Sequence, residues 1–104
     1  MVETSVFRAL ADPTRRAIFE RLTEREMSVG QLKAGFDVTQ PAISQHLAAL
    51  KDAHLVKERR AGRFAYYRVD PQGLAPMLAW LERYRAFWPP RIDRLKDVLR
   101  EMDR

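Results

Sequence analysis

The stretch Thr39–Leu50, TQPAISQHLAAL, followed closely by KERRAGRFAYYRV at Lys57–Val69, decides how this chain folds. Thr39 offers a side-chain oxygen to the orphan N–H groups of a helix start, and Pro41 falls in the first turn, where its missing N–H costs nothing. Ile43, Leu47 and Leu50 recur at the i, i+4, i+7 spacing of one buried stripe. At about 100° per residue, Pro41, Gln45, Ala48 and Asp52 project from the opposite side, flanked by Ser44 and His46. The predicted helix spans Thr39 to His54, and its outward face is short-chained near the N-terminus, so it can approach a partner closely.

Leu55 and Val56 then open a strand, Ala61-Gly62-Arg63 turns, and Phe64–Val69 returns with β-favouring aromatics. The charge lies in the same place. Net charge is +5 for the chain, but zero over residues 1–54, +3 over 55–70 and +2 over 71–104. A capped helix with a polar outer face, joined to a basic two-stranded ribbon, suits double-stranded DNA: the helix enters the major groove and the ribbon grips phosphates. The predicted fold class is therefore mostly α (α+β), a winged helix-turn-helix with a two-stranded β wing.

On the helix the DNA-facing candidates are Thr39, Gln40, Pro41, Ser44, Gln45 and His46, with Lys51 toward its end. Gln suits bidentate pairing with adenine, and Ser can pair with more than one base. In the ribbon, Arg59, Arg60 and Arg63 flank the turn, where they reach phosphates or the minor groove. A solvated helix face and an ordinary surface charge run are the plain alternatives; the succession of the two features favours DNA. A winged-helix protein-interaction module without specific DNA binding is the rival reading. A neutral or acidic ribbon would support it, and +3 does not.

The rest of the chain supplies the frame. Val6, Phe7 and Leu10 fall at helical spacing over Thr4–Leu10. Asp12-Pro13 marks the start of a second helix, running to about Thr23 and burying Ile18, Phe19 and Leu22. Arg15 and Arg16 near that start call for a compensating anion, either a phosphate or the Glu20 carboxylate. Ser28 caps a third helix that carries Val29 and Leu32 and ends near Gly35 and Phe36, after which Asp37 sits where a left-handed residue is expected. Beyond Asp70-Pro71-Gln72-Gly73, a helix is predicted from Gly73 or Leu74 to Trp88. Its apolar set, with Leu81, Tyr84 and Trp88 at its centre, is wider than one core-facing stripe; dimer and core packing explain it better than a small-molecule pocket. Pro89-Pro90 breaks that helix. A last one covers Arg91–Met102, with Ile92, Leu95, Leu99 and Met102 at a/d spacing.

Composition removes other function classes. The 104 residues suffice for one domain with an ordinary core, since 46% are apolar. Cysteine is absent, which excludes disulfides, thiolate metal sites and thiol redox switching. His46 and His54 are the only histidines, too few for a zinc site, which needs about three or four protein ligands. No cofactor is implied. Ser44 and His46 cannot act as nucleophile and base, because i, i+2 positions on a helix point about 200° apart. No Gly-rich phosphate loop and no cleft-lining carboxylate pair is present, so the chain does not read as an enzyme. Without a signal peptide or a run of roughly 18 apolar residues, it is expected in the cytoplasm, with no membrane partner.

The succession DPTRRAIFERL, SVGQLKAGF, TQPAISQHLAALKDAHLV and KERRAGRFAYYRVD resembles the ArsR/SmtB family of small bacterial winged-helix repressors. LAPMLAWLERYRAFW is similar to the tails of members without metal sites, and the likeness covers nearly the whole chain. It implies a homodimer joined through the first helix, residues 1–11, and the C-terminal helices, residues 73–104. On this chain Val6, Phe7, Leu10, Leu81, Tyr84 and Trp88 would then form the interface, with two recognition helices reading one operator. Pro89-Pro90 departs from the continuous C-terminal helix of similar proteins. The cysteines and His-carboxylate clusters of metal-sensing relatives have no counterpart here, and the residues identify no inducing ligand.

Overall fold

The computed structural model describes residues 2–90, 97 and 99–102. Helices α1 (Val2–Ala11), α2 (Pro13–Glu24), α3 (Val29–Lys33) and α4 (Gln40–Asp52) precede a hairpin of β2 (Val56–Ala61) and β3 (Phe64–Val69). A 3-10 turn over Pro71–Leu74 leads into α5 (Ala75–Glu82), and a second covers Arg85–Phe87. A short strand β1 (Met27–Ser28), absent from the sequence reading, pairs with β3, so the sheet has three strands in the order β1-β3-β2 rather than two. Only Met27↔Tyr67 and Ser28↔Tyr66 hold it. Two residues are too short a run for alternation to register.

The helix starts follow their caps. Asp12 accepts from the Arg15 N–H at 3.0 Å. Ser28 and Gln31 form a reciprocal capping box at 3.2 and 2.8 Å, and Thr39 accepts from the Ala42 N–H at 3.2 Å. Val6, Ile18, Leu22, Leu32, Ile43, Leu47, Leu50 and Leu55 meet in one core between the helices and the sheet's inner face. The Ile43, Leu47 and Leu50 stripe is wholly buried.

Helix α4 ends at Asp52, two residues before the predicted His54. His54 takes the left-handed conformation at φ 61°. Its N–H donates to the Lys51 carbonyl and that of Leu55 to the Leu50 carbonyl, both at 2.9 Å. This is a Schellman ending, closed by contact between apolar residues on either side of the turn. It leaves His54 exposed, in a capping position rather than on the helix's buried side. Asp37, predicted left-handed, is not: among the described residues only His54 and Gly62 have positive φ. The segment before it turns through right-handed i→i−3 bonds, Gly35 N–H to Leu32 and Phe36 N–H to Lys33, and needs no such residue.

The helix predicted to reach Trp88 stops at Glu82. Its end tightens into i→i−3 bonds, Arg83 N–H to Trp80 at 3.2 Å and Tyr84 N–H to Leu81 at 3.0 Å. Trp88 is extended at φ −72°, ψ 141°, as the residue before a proline must tend to be. Of the last predicted helix, Asp97, Leu99, Arg100, Glu101 and Met102 are helical, while Ile92 and Leu95 lie outside the described residues.

Gly73 is buried against the α4–β2 corner. A Cβ there would fall on the His54 carbonyl oxygen and within 2.7 Å of its carbonyl carbon, and backbone on both sides cannot yield cheaply. Gly73→Ala should therefore lower stability by about 1–3 kcal/mol or more, while Gln72→Ala on the adjoining surface should stay within about 0.5 kcal/mol. Urea unfolding of both variants checks this, and equal midpoints would show that the corner can open.

Candidate nucleic-acid interface

Thr39, Gln40, Pro41, Ser44 and Gln45 are all exposed at the start of α4; Pro41 and Gln45 project opposite its buried stripe, Ser44 flanks them, and Thr39 and Gln40 are free to solvent because they stand at the helix end. His46 is half-buried, and its Nδ1 accepts from Arg15 Nε at 3.4 Å. Arg15 also donates through Nη1 to the Ala9 carbonyl at 3.5 Å, and Arg16 through Nη1 to the Leu10 carbonyl at 2.9 Å. In place of the predicted phosphate or Glu20 carboxylate, these arginines meet the neutral carbonyl end of α1, where cations are favoured. Asp12, beside them, is held below its ordinary pKa chiefly by the Arg15 backbone N–H.

The hairpin pairs Glu58 with Tyr67, Arg59 with Tyr66 and Arg60 with Ala65, and it turns at Gly62 with φ 63°. Successive strand residues face opposite ways, so Arg59 and Arg60, neighbours in sequence, belong to different faces. Glu58 lies on the face toward α4. Its Oε1 accepts from Lys51 Nζ at 3.1 Å and its Oε2 from the Tyr67 hydroxyl at 2.9 Å, and Arg60 Nε lies 3.9 Å from that same Oε2. The candidate near the end of α4, Lys51, is thereby tied to the wing. Lys51 first and then Tyr67 hold the Glu58 carboxyl below its ordinary range. Burial, aided by that carboxylate, pushes the Tyr67 phenol up.

Arg59 occupies the other face. Its Nη2 and Nε donate to Glu26 at 2.6 and 3.2 Å, and its guanidinium lies 5.0 Å from the Tyr66 ring centroid. The hydrogen bonds from Arg59 hold Glu26 below its ordinary pKa. Arg60 keeps 76% of its side chain exposed, and among the described residues Arg63 has no hydrogen-bond or ion-pair partner. Those two arginines, with Gln40, Ser28 and Ala65, line an open cleft between the start of α4 and the wing. Glu26 and Glu58 escape sequence reasoning. Glu58 leaves a faint signal in its alternate spacing with Arg60, whereas Glu26 is 33 residues from its partner and leaves none.

The candidate interface residues divide. Val6 is 1% exposed inside the chain's own core and has no surface to offer a second copy, a position set by its inward side of α1. Phe7 remains 38% exposed and meets Trp80 of α5 edge to face at 5.3 Å. Trp80 in turn packs on Tyr84 at 4.9 Å. Leu10, Leu81 and Trp88 are half-buried, while Tyr84 and Phe87 are exposed. Among the described residues no three His, Asp or Glu side chains come together as a metal would require, and no helix is long and apolar enough to cross a membrane.

Because Glu58 is more acidic folded than unfolded, its contribution is complete above its ordinary value of 4.5 and fades as pH falls through the lower folded value. Glu58→Gln should lower the urea midpoint at neutral pH, and the gap to the parent should narrow as pH falls below 4.5. A gap of the same size throughout would assign the loss to packing instead of charge.

Residues 10–59 match a helix-turn-helix domain family. The chain is 49% identical over 78 residues to the HTH-type transcriptional regulator Rv2034 of Mycobacterium tuberculosis, spanning 75% of this chain and 73% of that protein. It is 36% identical over 77 residues to the transcriptional repressor SdpR of Bacillus subtilis, spanning 74% and 86%. The ArsR-like transcriptional regulator from Rhodococcus sp. RHA1 superposes with a TM-score of 0.72 at 35% identity, covering 91% of this chain and 90% of that one. These relatives are transcriptional regulators and not enzymes. With a capped α4 presenting its polar side beside a basic wing, the chain belongs to the ArsR/SmtB family of winged helix-turn-helix, DNA-binding transcriptional regulators.

Proposed function

We propose that this regulator is a homodimeric repressor that sets two copies of α4 in successive major grooves of a pseudo-palindromic operator. The observation that carries the reading is the joint placement of α4 and wing. Gln40 lines an open cleft with Arg60 and Arg63 of the wing, Ser44 and Gln45 are exposed further along α4, and the Lys51–Glu58 pair ties helix to hairpin. Base edges fall to Gln40, Ser44 and Gln45, with Pro41 making apolar contact beside them, and phosphates to Thr39 and His46 along the helix entry and to the wing arginines. A bound dimer covers promoter DNA against polymerase in the cytoplasm, and repression follows from that occupancy.

The chain acts as one domain whose ends dimerise. Phe7 at 38%, Tyr84 at 43%, Leu78 at 60% and Phe87 at 83% exposure lie on α1, on α5 and just beyond it, and large apolar patches on small proteins mark interfaces. Twofold pairing through these elements would place the two α4 helices about one DNA turn apart, roughly 34 Å.

Two experiments test the reading. Gln45→Ala or Ser44→Ala should cost roughly 1–3 kcal/mol at particular operator positions and leave binding to random DNA nearly intact; equal losses on every sequence would assign them to the backbone. Leu81→Asp, which puts an unpaired charge into the dimer face, should split the dimer in sedimentation at micromolar concentration and abolish tight operator binding. A parent protein that sediments as a monomer yet binds the full operator tightly would overturn the dimer.

A further inference from the structure

The reading of the wing as a DNA ribbon treats its arginines alike, but the structure separates them. We propose, resting on that reading, that Arg59 is a positioning residue: with Tyr66 and Glu26 it forms a strut across the sheet that fixes the angle at which the wing carries Arg60 and Arg63 to DNA.

The geometry of the sheet supplies the argument. Tyr66 on the central strand pairs with Arg59 on one side and Ser28 on the other. Arg59 reaches from β2 over the Tyr66 ring, at 5.0 Å, to a carboxylate just before β1, so one side chain spans all three strands. The backbone ladder beneath it is weak at that edge, since β1 contributes only two residues. A fork of N–H donors on a carboxylate is a directional tie, and here it stiffens the short edge. On the opposite face Glu58 ties β2 to α4 through Lys51. The wing is thus held from both faces, by Glu58 toward the recognition helix and by Glu26 away from it.

Charge separates the arginines in the same way. A phosphate approaching Arg59 would have to displace hydrogen bonds of 2.6 and 3.2 Å and would leave the Glu26 anion facing the DNA. Arg60 stands 3.9 Å from Glu58 with 76% of its side chain exposed, and Arg63 has no partner among the described residues. These two can turn to phosphate without abandoning a carboxylate fork.

The test measures anisotropy of a random-sequence DNA duplex with the full chain across a salt series. For Arg60→Ala with Arg63→Ala, the slope of log affinity against log salt should flatten by up to about 0.9 for each phosphate that is no longer neutralised. Arg59→Ala and Glu26→Gln should each weaken binding by about two- to fivefold, the scale of an exposed ion pair, with the slope unchanged. The exchanged pair Glu26→Arg with Arg59→Glu, which preserves net charge, should restore affinity to within about twofold of the parent. A flattened slope for Arg59→Ala, tighter binding by Glu26→Gln, or an exchanged pair weaker than Arg59→Ala would make Arg59 a phosphate ligand and overturn the proposal, as would single variants that bind like the parent. Should Arg59→Ala fail to fold by circular dichroism, Glu26→Gln and the exchanged pair decide alone. An unchanged slope for the Arg60, Arg63 variant would instead remove the wing from the DNA interface, a separate failure.

Discussion

The chain has three residues, Ala53, His54 and Leu55, in which to leave a recognition helix and enter the wing, and the rest of the structure depends on how tightly that corner is made. Leu50 and Leu55 are both fully buried on either side of it, while the left-handed His54 reverses the backbone between them. A left-handed conformation costs a residue with a Cβ about 1–2 kcal/mol, which the two Schellman hydrogen bonds and the buried leucine pair offset. Gly73 seals the corner from outside by close backbone approach, and the Asp70 N–H donates to the Leu55 carbonyl at 2.9 Å. The direction in which β2 departs from α4 is therefore set by apolar burial and backbone hydrogen bonds before any charged side chain acts.

Charged side chains then refine what the corner begins. Lys51, Glu58 and Tyr67 link α4, β2 and β3 in one run of hydrogen bonds, and their partial burial keeps solvent from screening them fully. Surface ion pairs are individually weak, so neither Glu58 nor Glu26 holds the fold together. What they can change is the orientation of a hairpin that projects from the core, where a small energy acts on a soft coordinate. The sign of the arrangement matters as well. Acids occupy positions at the base of the wing, Glu58 and Glu26, and the turn carries Arg63 without a counter-charge among the described residues, so the positive potential is concentrated at the tip.

How much of this was legible in the sequence follows from the range of each interaction. Asp12, Ser28 and Thr39 each cap a helix through a bond to a residue three positions on, and the Ile43, Leu47, Leu50 stripe repeats within one helix, so local pattern sufficed. The hairpin announced itself through Gly62 and its flanking aromatics. Strand β1 did not, because its pairing with β3 is decided nearly forty residues away. The Arg59–Glu26 and Arg15–His46 hydrogen bonds are likewise products of tertiary placement. Helix α5 misled the reading for another reason: its apolar residues continue past Glu82, but Tyr84 turns onto Trp80 and the chain tightens ahead of Pro89. Val6 fell at a spacing shared by core and interface, and only packing separates the two.

That last ambiguity bears on how the family's architecture is built into this chain. Helix α1 uses one side, Val6 and Ala9, to complete its own core. The adjoining side carries Phe7, whose ring meets Trp80 edge to face and thereby joins α1 to α5 within the same molecule. The Phe7, Trp80 and Tyr84 rings form a continuous aromatic ridge that is only partly covered. Phe7 immediately follows the core-locked Val6, so the ridge is anchored to α1. From there Arg15 and Arg16, bonded to the carbonyl end of α1, connect it to α2, and Arg15 reaches His46 on α4. A short run of hydrogen bonds therefore joins α1, beside the aromatic ridge, to α4 outside the apolar core, in addition to the packing of both helices within it.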